Sequence, residues 1–372
     1  MKILIVNWQD IRNPLAGGAE VHLHEVFSRI AGKGHSVTLY CSRFKESLPE
    51  EHIDGMRVLR EGGRYLFNFR FLFTYLKRLR KESFDIIIDD MNKVPFFTPW
   101  FSRFPICGVT HHLFGTSIFR ETNFILAAYV FLMETLAVWT YKRYRIPFVV
   151  GSPSTYRELL QKGFAKESVH LVPYGVDHQS HKRTGVGKSN TPLIGYFGRL
   201  KKYKSVDHLL HAIPVVLCSV PKVRVVIAGE GDDRERLEEL SRRLGLRDSV
   251  EFTGFISEER KLELLQQLWC KVTTSSKEGW GLTVIEANAC GTPVIASNVE
   301  GLRDAVKDGE TGLLYSYGDV NGLASNIIHV LTDDVLRHRL EENALRWSQE
   351  FDWDRAAEET EKLLTARLKE TG

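Results

Sequence analysis

Short, β-branched apolar runs alternate along this chain with longer mixed segments of helical length. Ile3–Asn7, Ser36–Tyr40, Met56–Arg60, Asp85–Ile88, Ile106–Thr110 and Phe148–Gly151 are predicted strands, since short continuous apolar runs suit strands buried on both faces. The pieces between them, such as Glu20–Gly32 and Phe69–Glu82, predict helices. The alternation pauses at His178–Thr191 (HQSHKRTGVGKSNT), a polar, basic, Gly- and Ser-containing stretch that predicts a linker. It restarts with strands at Leu193–Phe197, Val223–Ala228, Val250–Thr253, Cys270–Thr274, Pro293–Ala296 and Gly312–Leu314. Helices are predicted between them at Ser205–Cys218, Arg234–Leu244, Ser257–Leu268 and Val284–Ala289, and Trp353–Leu368 predicts a closing helix.

Such βα alternation implies α/β architecture with mostly parallel sheets covered on both faces. The expectation is two doubly wound, Rossmann-like domains, 1–180 and 190–352, followed by a C-terminal helix in 353–372. Ligands of such folds bind where strand carboxyl ends lead into helices. With two domains facing each other, the cleft between them is the expected site.

Two segments strain this picture. Phe124–Tyr141 (FILAAYVFLMETLAVWTY) carries one charge, Glu134, and is followed by Lys142-Arg143-Tyr144-Arg145. Its length and basic flank suit a membrane span. The strand-like PICGVTHH before it and IPFVVGSP after it favour a largely buried helix instead. The second segment, Arg64–Glu82, has aromatics at alternate positions from 67 to 75 and a basic end, LKRLRKE. The alternation suggests a strand, but length and the basic end favour a helix. It suits either a basic, aromatic helix lying on an anionic membrane or a core-facing helix with a solvated face.

At 372 residues, two domains are the natural expectation. Lys and Arg number 50 against 47 acidic residues, a net charge of +3, which argues against a nucleic-acid partner. Five widely spaced cysteines without a CxxC pair suggest reduced thiols in a cytoplasmic protein. The first apolar run is too short for a signal-peptide core.

Several look-alike motifs fail on spacing. Gly229-Glu230-Gly231 follows a strand, but Arg234 stands where a dinucleotide fingerprint needs its third glycine. Gly187-Lys188-Ser189 lacks the first glycine of a P-loop, since Lys182 occupies that place. His22 and His24 are two apart and share no helix face, so no metal site is expected. Asp89-Asp90 ends a strand and suits either a cation or acceptor contact, or a plain loop or cap.

One stretch carries more. EGWGLTVIEA places Glu278 on a strand-to-helix loop and Glu286 two turns into the helix. Between them, Gly281, Leu282 and Thr283 cover the helix start. A helix N-terminus exposes unpaired N–H groups and partial positive charge, so this is an expected anion site, with Gly281 admitting a ligand to the backbone. If the anion is a diphosphate, the flanking carboxylates can accept hydrogen bonds from a sugar and a ribose. Cations for the diphosphate are available in GYFGRLKKYKS, where Arg199 and Lys204 follow a strand.

With these residues in place, the chain resembles the family 4 (group 1) retaining glycosyltransferases of the two-Rossmann-domain, GT-B type. The EX7E pattern matches at Glu278 and Glu286, and the basic pair at Arg199 and Lys204. Ser205 stands where the family often has glycine after the lysine, and LVPYGVDH has Tyr174 where Asn is common. NPLAGGAEVHLHE resembles the family's N-terminal glycine-rich loop, and FDWDRAAEETEKLL its C-terminal helix, which crosses back to the first domain.

The resemblance implies transfer of a hexose, of mannose or glucose type, from a nucleotide-diphosphate sugar to a glycan or lipid-linked acceptor, with retention and no metal or other cofactor. Arg199 and Lys204 would stabilise the leaving diphosphate, Glu278 would hold sugar hydroxyls, and Glu286 the ribose. Gly281, Leu282 and Thr283 would reach sugar or phosphate through the backbone. Gly17 and Gly18 would bring the first domain's backbone to the phosphates, and His111 would face the donor sugar, with His112 a second choice. Phe255 and Ile256, after Gly254, would flank the base. The first domain would bind the acceptor, on the cytoplasmic side; of the two readings of Arg64–Glu82, the one that lies on a membrane would add peripheral contact with an anionic surface and collect a lipid-linked acceptor. Two other functions fit the same architecture: a sugar-nucleotide 2-epimerase and a silent nucleotide-sugar-binding protein. The intact set Arg199, Lys204, Glu278 and Glu286 speaks against the silent one.

Overall fold

In the computed structural model, which describes residues 1–63, 67–92, 94–120 and 122–371, the apolar runs form two separate sheets. The first contains β1 (Lys2–Val6), β2 (Ser36–Cys41), β3 (Glu50–Ile53), β4 (Met56–Arg60), β5 (Ile86–Asp90), β6 (Ile106–Thr110), β7 (Phe148–Val150) and β8 (Val169–Leu171). Their order is β3-β4-β2-β1-β5-β6-β7-β8, parallel except for β3 against β4. Strand β3, unforeseen because Glu50-Glu51-His52 lacks apolar alternation, is returned by Asp54-Gly55 at φ +45° and +81°. Positive φ at both positions is the signature of a type I′ hairpin.

Among the described residues, the helices that follow these strands are α1 (Gly18–Gly32), α2 (Phe67–Lys77), α3 (Phe124–Arg143) and α4 (Pro153–Gln161). The alternating aromatics of the second segment thus fold as a helix, extended by a tight turn at Leu79–Lys81. Arg64, Tyr65 and Leu66 of that segment lie outside the described residues. Leu4, Val6, Tyr40, Ile87, Ile106 and Phe148 make one core with Phe67, Phe71 and Tyr75 of α2 and Ala137, Val138 and Tyr141 of α3. Helices α2 and α3 therefore cover the same face of the sheet.

The expectation that Phe124–Tyr141 is a largely buried helix needs correction. It is a helix, but only 33% of its most apolar window is buried. Ala127, Val130, Glu134, Ala137 and Tyr141 face inward, whereas Ile125 is 82% exposed, Leu132 60% and Trp139 57%. An all-round apolar helix is ordinarily enclosed on every side; here the sheet covers one side alone.

The second sheet contains β9 (Leu193–Phe197), β10 (Arg224–Ala228), β11 (Val250–Gly254), β12 (Cys270–Thr273), β13 (Val294–Ser297) and β14 (Gly312–Tyr315), in the order β11-β10-β9-β12-β13-β14. All its pairings are parallel. Its helices are α5 (Val206–Ser219), α6 (Arg234–Arg243), α7 (Glu258–Gln267), α8 (Leu282–Ala289), α9 (Leu302–Ala305), α10 (Val320–Thr332) and α11 (Asp334–Ser348). The core of this unit is Ile194, Leu209, Ile213, Val225, Ile227 and Val272 with Leu323, Ile327 and Leu340 from α10 and α11.

The chain divides into a unit of Met1–Gly175 with Trp353–Gly372 and a unit of Val176–Asp352. The last helix, α12 (Trp353–Thr371), lies on α1 in the first unit. Arg29 Nε donates to Asp354 (2.7 Å) and Lys33 Nζ to Glu361 (3.0 Å), while Trp353, Ala356, Ala357 and Leu364 are buried. The expected linker at 178–191 has no regular structure, yet it is fastened to the second unit. Lys188 Nζ donates to Gly291 O and Thr292 Oγ1, and Thr184 to Gln266 Oε1.

Each sheet reverses its direction of winding once, between β1 and β5 and between β9 and β12. In doubly wound sheets the crevice at the strands' carboxyl ends beside such a reversal is the natural ligand position.

Candidate functional site

At the reversal of the second sheet, two strand-to-helix loops meet. The loop after β9 carries Gly198, Arg199 and a tight turn, Lys202–Lys204, before α5. The loop after β12 runs from Thr274 to Gly281, where α8 begins. Hydrogen bonds staple the two together. Thr274 Oγ1 donates to Lys204 O (2.7 Å), and Ser276 N (2.8 Å) and Oγ (3.1 Å) both donate to Tyr203 O.

That stapling brings together Lys204 and Glu278, 74 residues apart in sequence. Lys204 Nζ donates to Glu278 Oε1, which also accepts from Ser275 Oγ (2.7 Å). Both side chains are mostly buried, at 15% and 18% exposure. Burial disfavours the Lys204 ammonium, but the neighbouring Glu278 outweighs it and holds the group above the ordinary lysine range. Arg199 lies on the same loop, exposed, and Nη2 donates to Tyr203 Oη (3.2 Å).

Glycines make the close approach possible. A Cβ on Gly301 would lie 2.3 Å from the Glu278 carbonyl oxygen, and Gly301 has φ +78°. The Gly229-Glu230-Gly231 look-alike has a packing reason too. A Cβ on Gly229 or Gly231 would lie 1.9 Å from the carbonyl oxygen of Gly198 or Leu200, so the loop after β10 can press against the Arg199 loop only without side chains. Gly281 has a packing reason as well. A Cβ there would meet Ala305 Cβ and Val284 Cγ2 at 2.9 Å, so packing against α9 demands glycine, whatever approaches the helix start. Ser205, where glycine is common, adopts φ +49°, the left-handed conformation that glycine takes without strain. Its hydroxyl lies 2.8 Å from Tyr317 Oη.

Glu286 is on the inner part of α8 and pairs with Lys261 of α7 at 3.1 Å. Burial opposes its charge, and Lys261, His181 and Lys271 more than compensate, so the carboxyl stays below the usual range. Leu282 and Thr283 are half-buried in the first turn of α8. Phe255, after β11, is 84% exposed and Ile256 half-buried. An aromatic ring so exposed is available for a flat ligand.

Two lysines of this region escaped sequence reasoning. Lys261 stands in SEERKLELL and resembles ordinary helix surface charge. Lys271 is fully buried in β12, donating to Thr273 Oγ1 (2.6 Å), and burial lowers its ammonium to about 7. A lone lysine inside the apolar strand WCKVT was the available signal.

In the first unit, Gly17 caps α1 and donates its N–H to Glu20 Oε2 (2.7 Å), so that donor is already engaged. Gly18 is exposed with open space where a Cβ would stand. His111 follows β6 and is 8% exposed. Its Nδ1 bonds Tyr174 Oη, and Nε2 lies 3.5 Å from Asp90 Oδ1. Tyr174 is stacked on His22 at 4.2 Å and thus supplies His111 with a hydroxyl partner. Burial, then His111 beside it, pushes His22 well below the ordinary range. His112, half-buried, contacts Phe114. Asp89 accepts from Thr98 Oγ1 and Tyr141 Oη, tying β5 to α3, and burial raises its carboxyl to about 6. His24 instead pairs with Asp54 at 2.8 Å.

Comparison with known proteins adds to this geometry. Residues 177–347 match the family of glycosyl transferases group 1, and residues 16–180 match glycosyltransferase family 4. An uncharacterised glycosyltransferase of Methanocaldococcus jannaschii is 24% identical over 393 aligned positions, covering 100% of both chains. The D-inositol 3-phosphate glycosyltransferase of Streptomyces avermitilis is 34% identical over 203 residues, which span 52% of this chain and 44% of that protein. Among solved structures, Anabaena HepE in complex with UDP and glucose superposes with a TM-score of 0.77 at 22% identity, covering 98% of this chain and 100% of that one.

Proposed function

The chain belongs to the group 1, family 4 glycosyltransferases, which transfer sugars from nucleotide-sugar donors, and on that premise we propose a retaining hexosyltransferase that uses a nucleotide-diphosphate hexose and a glycan or lipid-linked acceptor. The observation that carries the finer reading is the Lys204–Glu278 pair at the winding reversal of the second sheet, with Arg199 on the same loop.

In this reading the donor diphosphate exchanges Glu278 for itself as the partner of Lys204. Lys204 and Arg199 then offset charge as it grows on the departing diphosphate, an electrostatic contribution of several kcal/mol in a preorganised site. Glu278, released, accepts hydrogen bonds from sugar hydroxyls, and the N–H groups at the start of α8 face the anion. Glu286, kept ionised by Lys261, accepts from the ribose. Phe255 and Ile256 receive the base. Gly17, Gly18 and His111 remain candidates for the donor in the first unit, with the imidazole oriented by Tyr174 and Asp90. Mannose and glucose are both retained as the sugar. The glucose and UDP named for Anabaena HepE make UDP-glucose the first donor to try.

The test is calorimetric titration with UDP, GDP and ADP and then their sugar conjugates, in EDTA, followed by product analysis with candidate acceptors. Selective micromolar binding of one nucleotide and an acceptor-dependent product support the proposal. An epimerised donor with no transfer product, or no binding to any nucleotide, overturns it.

A further inference from the structure

We propose that Tyr174 is a positioning residue that fixes which ring nitrogen of His111 carries the hydrogen, so that His111 offers an Nε2–H donor to the nucleotide sugar. This deepens the reading in which His111 faces the donor sugar, and rests on it. Tyr174 stands where the family commonly has Asn, and the fold accommodates its larger ring. The ring is 4% exposed and lies between His22 (4.2 Å between centroids, 23° between planes) and Trp353 (6.2 Å, 29°). A Cβ on Gly151 would lie 1.8 Å from its Cε1, so the ring fits only because residue 151 is glycine. Held in this way, the ring delivers its hydroxyl to His111 Nδ1. The backbone of His111 is fixed as well, since Thr155 Oγ1 donates to His111 O (3.0 Å).

The two nitrogens of His111 have different surroundings. Nδ1 is bonded to Tyr174 Oη. Nε2 makes no hydrogen bond to any described residue and lies 3.5 Å from Asp90 Oδ1. Asp90 is fully buried, and neither of its oxygens accepts a hydrogen bond from a described residue. A lone pair on Nε2 would point at this carboxylate and be repelled, whereas a hydrogen there is attracted to it. Nε2 therefore carries the hydrogen, and Nδ1 accepts from the Tyr174 hydroxyl. Burial, then Asp90 and Glu20, push the Tyr174 phenol well above its ordinary range, so the hydroxyl keeps the hydrogen that it donates. At 3.5 Å, Asp90 is beyond a normal hydrogen bond. The Nε2–H is thus aimed but not engaged, and a closer acceptor, such as an oxygen of the donor sugar, can take it.

The test reads the tautomer directly. The full chain is labelled with ¹⁵N-histidine, and long-range ¹H–¹⁵N spectra are recorded at about pH 8, where ordinary imidazoles are neutral. His111→Gln identifies the His111 signals. The parent should show the Nε2–H tautomer, and Tyr174→Phe, which keeps the stacked ring, a mixture with Nδ1–H. In calorimetry Tyr174→Phe should weaken UDP-glucose about three- to tenfold, the worth of one hydrogen bond, and leave UDP within about twofold. Once His111 is Gln, Tyr174→Phe should cost nothing further. A parent spectrum of the Nδ1–H form overturns the inference even if Tyr174→Phe fails to fold, and so does a parent tautomer that a folded Tyr174→Phe leaves unchanged. Losses of UDP-glucose affinity that add in full across the two substitutions assign Tyr174 to packing alone and overturn it too. A parent that binds neither UDP nor UDP-glucose but has the Nε2–H tautomer refutes the donor reading instead, and with it the ligand named here for Nε2–H.

Discussion

Replacing Lys204 by Met separates a phosphate-binding lysine from one that merely neutralises Glu278. The change keeps the apolar stem and removes the cation. Glu278 then retains the Ser275 hydroxyl but loses its bonded cation at 18% exposure. An exposed ion pair is worth about 0.2–1 kcal/mol, and stripping one partner from a buried pair costs about 3–5 kcal/mol. For this intermediate case about 2 kcal/mol of stability should be lost. In a unit of this size that lowers its melting transition by about 5 °C. If the diphosphate takes over Lys204, a charge-assisted hydrogen bond of about 1.5–3 kcal/mol disappears as well, weakening UDP affinity about 10–100-fold. Turnover should fall further, since charge on the diphosphate is greatest in the transition state. Calorimetry gives the affinity and scanning calorimetry the stability. The double variant Lys204→Met/Glu278→Gln completes the comparison: it should regain stability without regaining UDP affinity. If Lys204→Met alone binds UDP within about twofold of the parent, the lysine serves the glutamate only, and the phosphate assignment is wrong.

Glu278→Ala should abolish sugar transfer while UDP affinity is kept or improved, because Lys204 is freed; product chromatography beside calorimetry checks both. Gly301→Ala places a methyl 2.3 Å from the Glu278 carbonyl at φ +78°; a stability loss of about 1–3 kcal/mol and a fall in turnover exceeding the loss of UDP affinity are expected from denaturant melts and kinetics. Asp89 is raised by burial to about 6 from 3.8, so between those values the folded state binds more protons than the unfolded one, and this carboxyl makes stability fall as pH rises. Asp89→Asn should flatten that fall in melts taken across the window, and an unchanged slope would contradict it. Transfer should persist in EDTA; loss restored by Mg²⁺ would refute the metal-free mechanism.

Most strands were legible because buried parallel strands are short apolar runs, and Ile106–Thr110 and Leu193–Phe197 match the sequence reading to the residue. Strand β3 was not legible from apolarity, although the Asp54-Gly55 turn beside it was a usable signal. Helix α10 was passed over despite Leu323, Ala324, Ile327, Val330 and Leu331 at helical spacing and an Asp319 cap on Gly322 N. The outward side of α3 could not be read at all. Its residues are apolar all round, and which side lacks a neighbour depends on the sheet it packs against. At the candidate site, spacing pointed to Lys204 and Glu278 separately but not to the bond between them, which depends on Thr274 and Ser276 holding the loops together. Lys261 was illegible because a helical lysine ordinarily faces water; only the fold reveals Glu286 beside it.

The return of α12 to the first unit also affects how the protein is made. The 177 residues of Val176–Asp352 are synthesised between the first unit's sheet and the helix that covers α1. At translation rates of roughly 5–20 residues per second, the sheet waits about 9–35 s for α12. During that interval the surface of α1 that α12 later covers is uncovered on the ribosome. The second unit, continuous in sequence, can finish folding first. Folding order on the ribosome would then run opposite to chain order, and a ribosome stalled before Trp353 would release a chain whose first unit is incomplete and prone to aggregate.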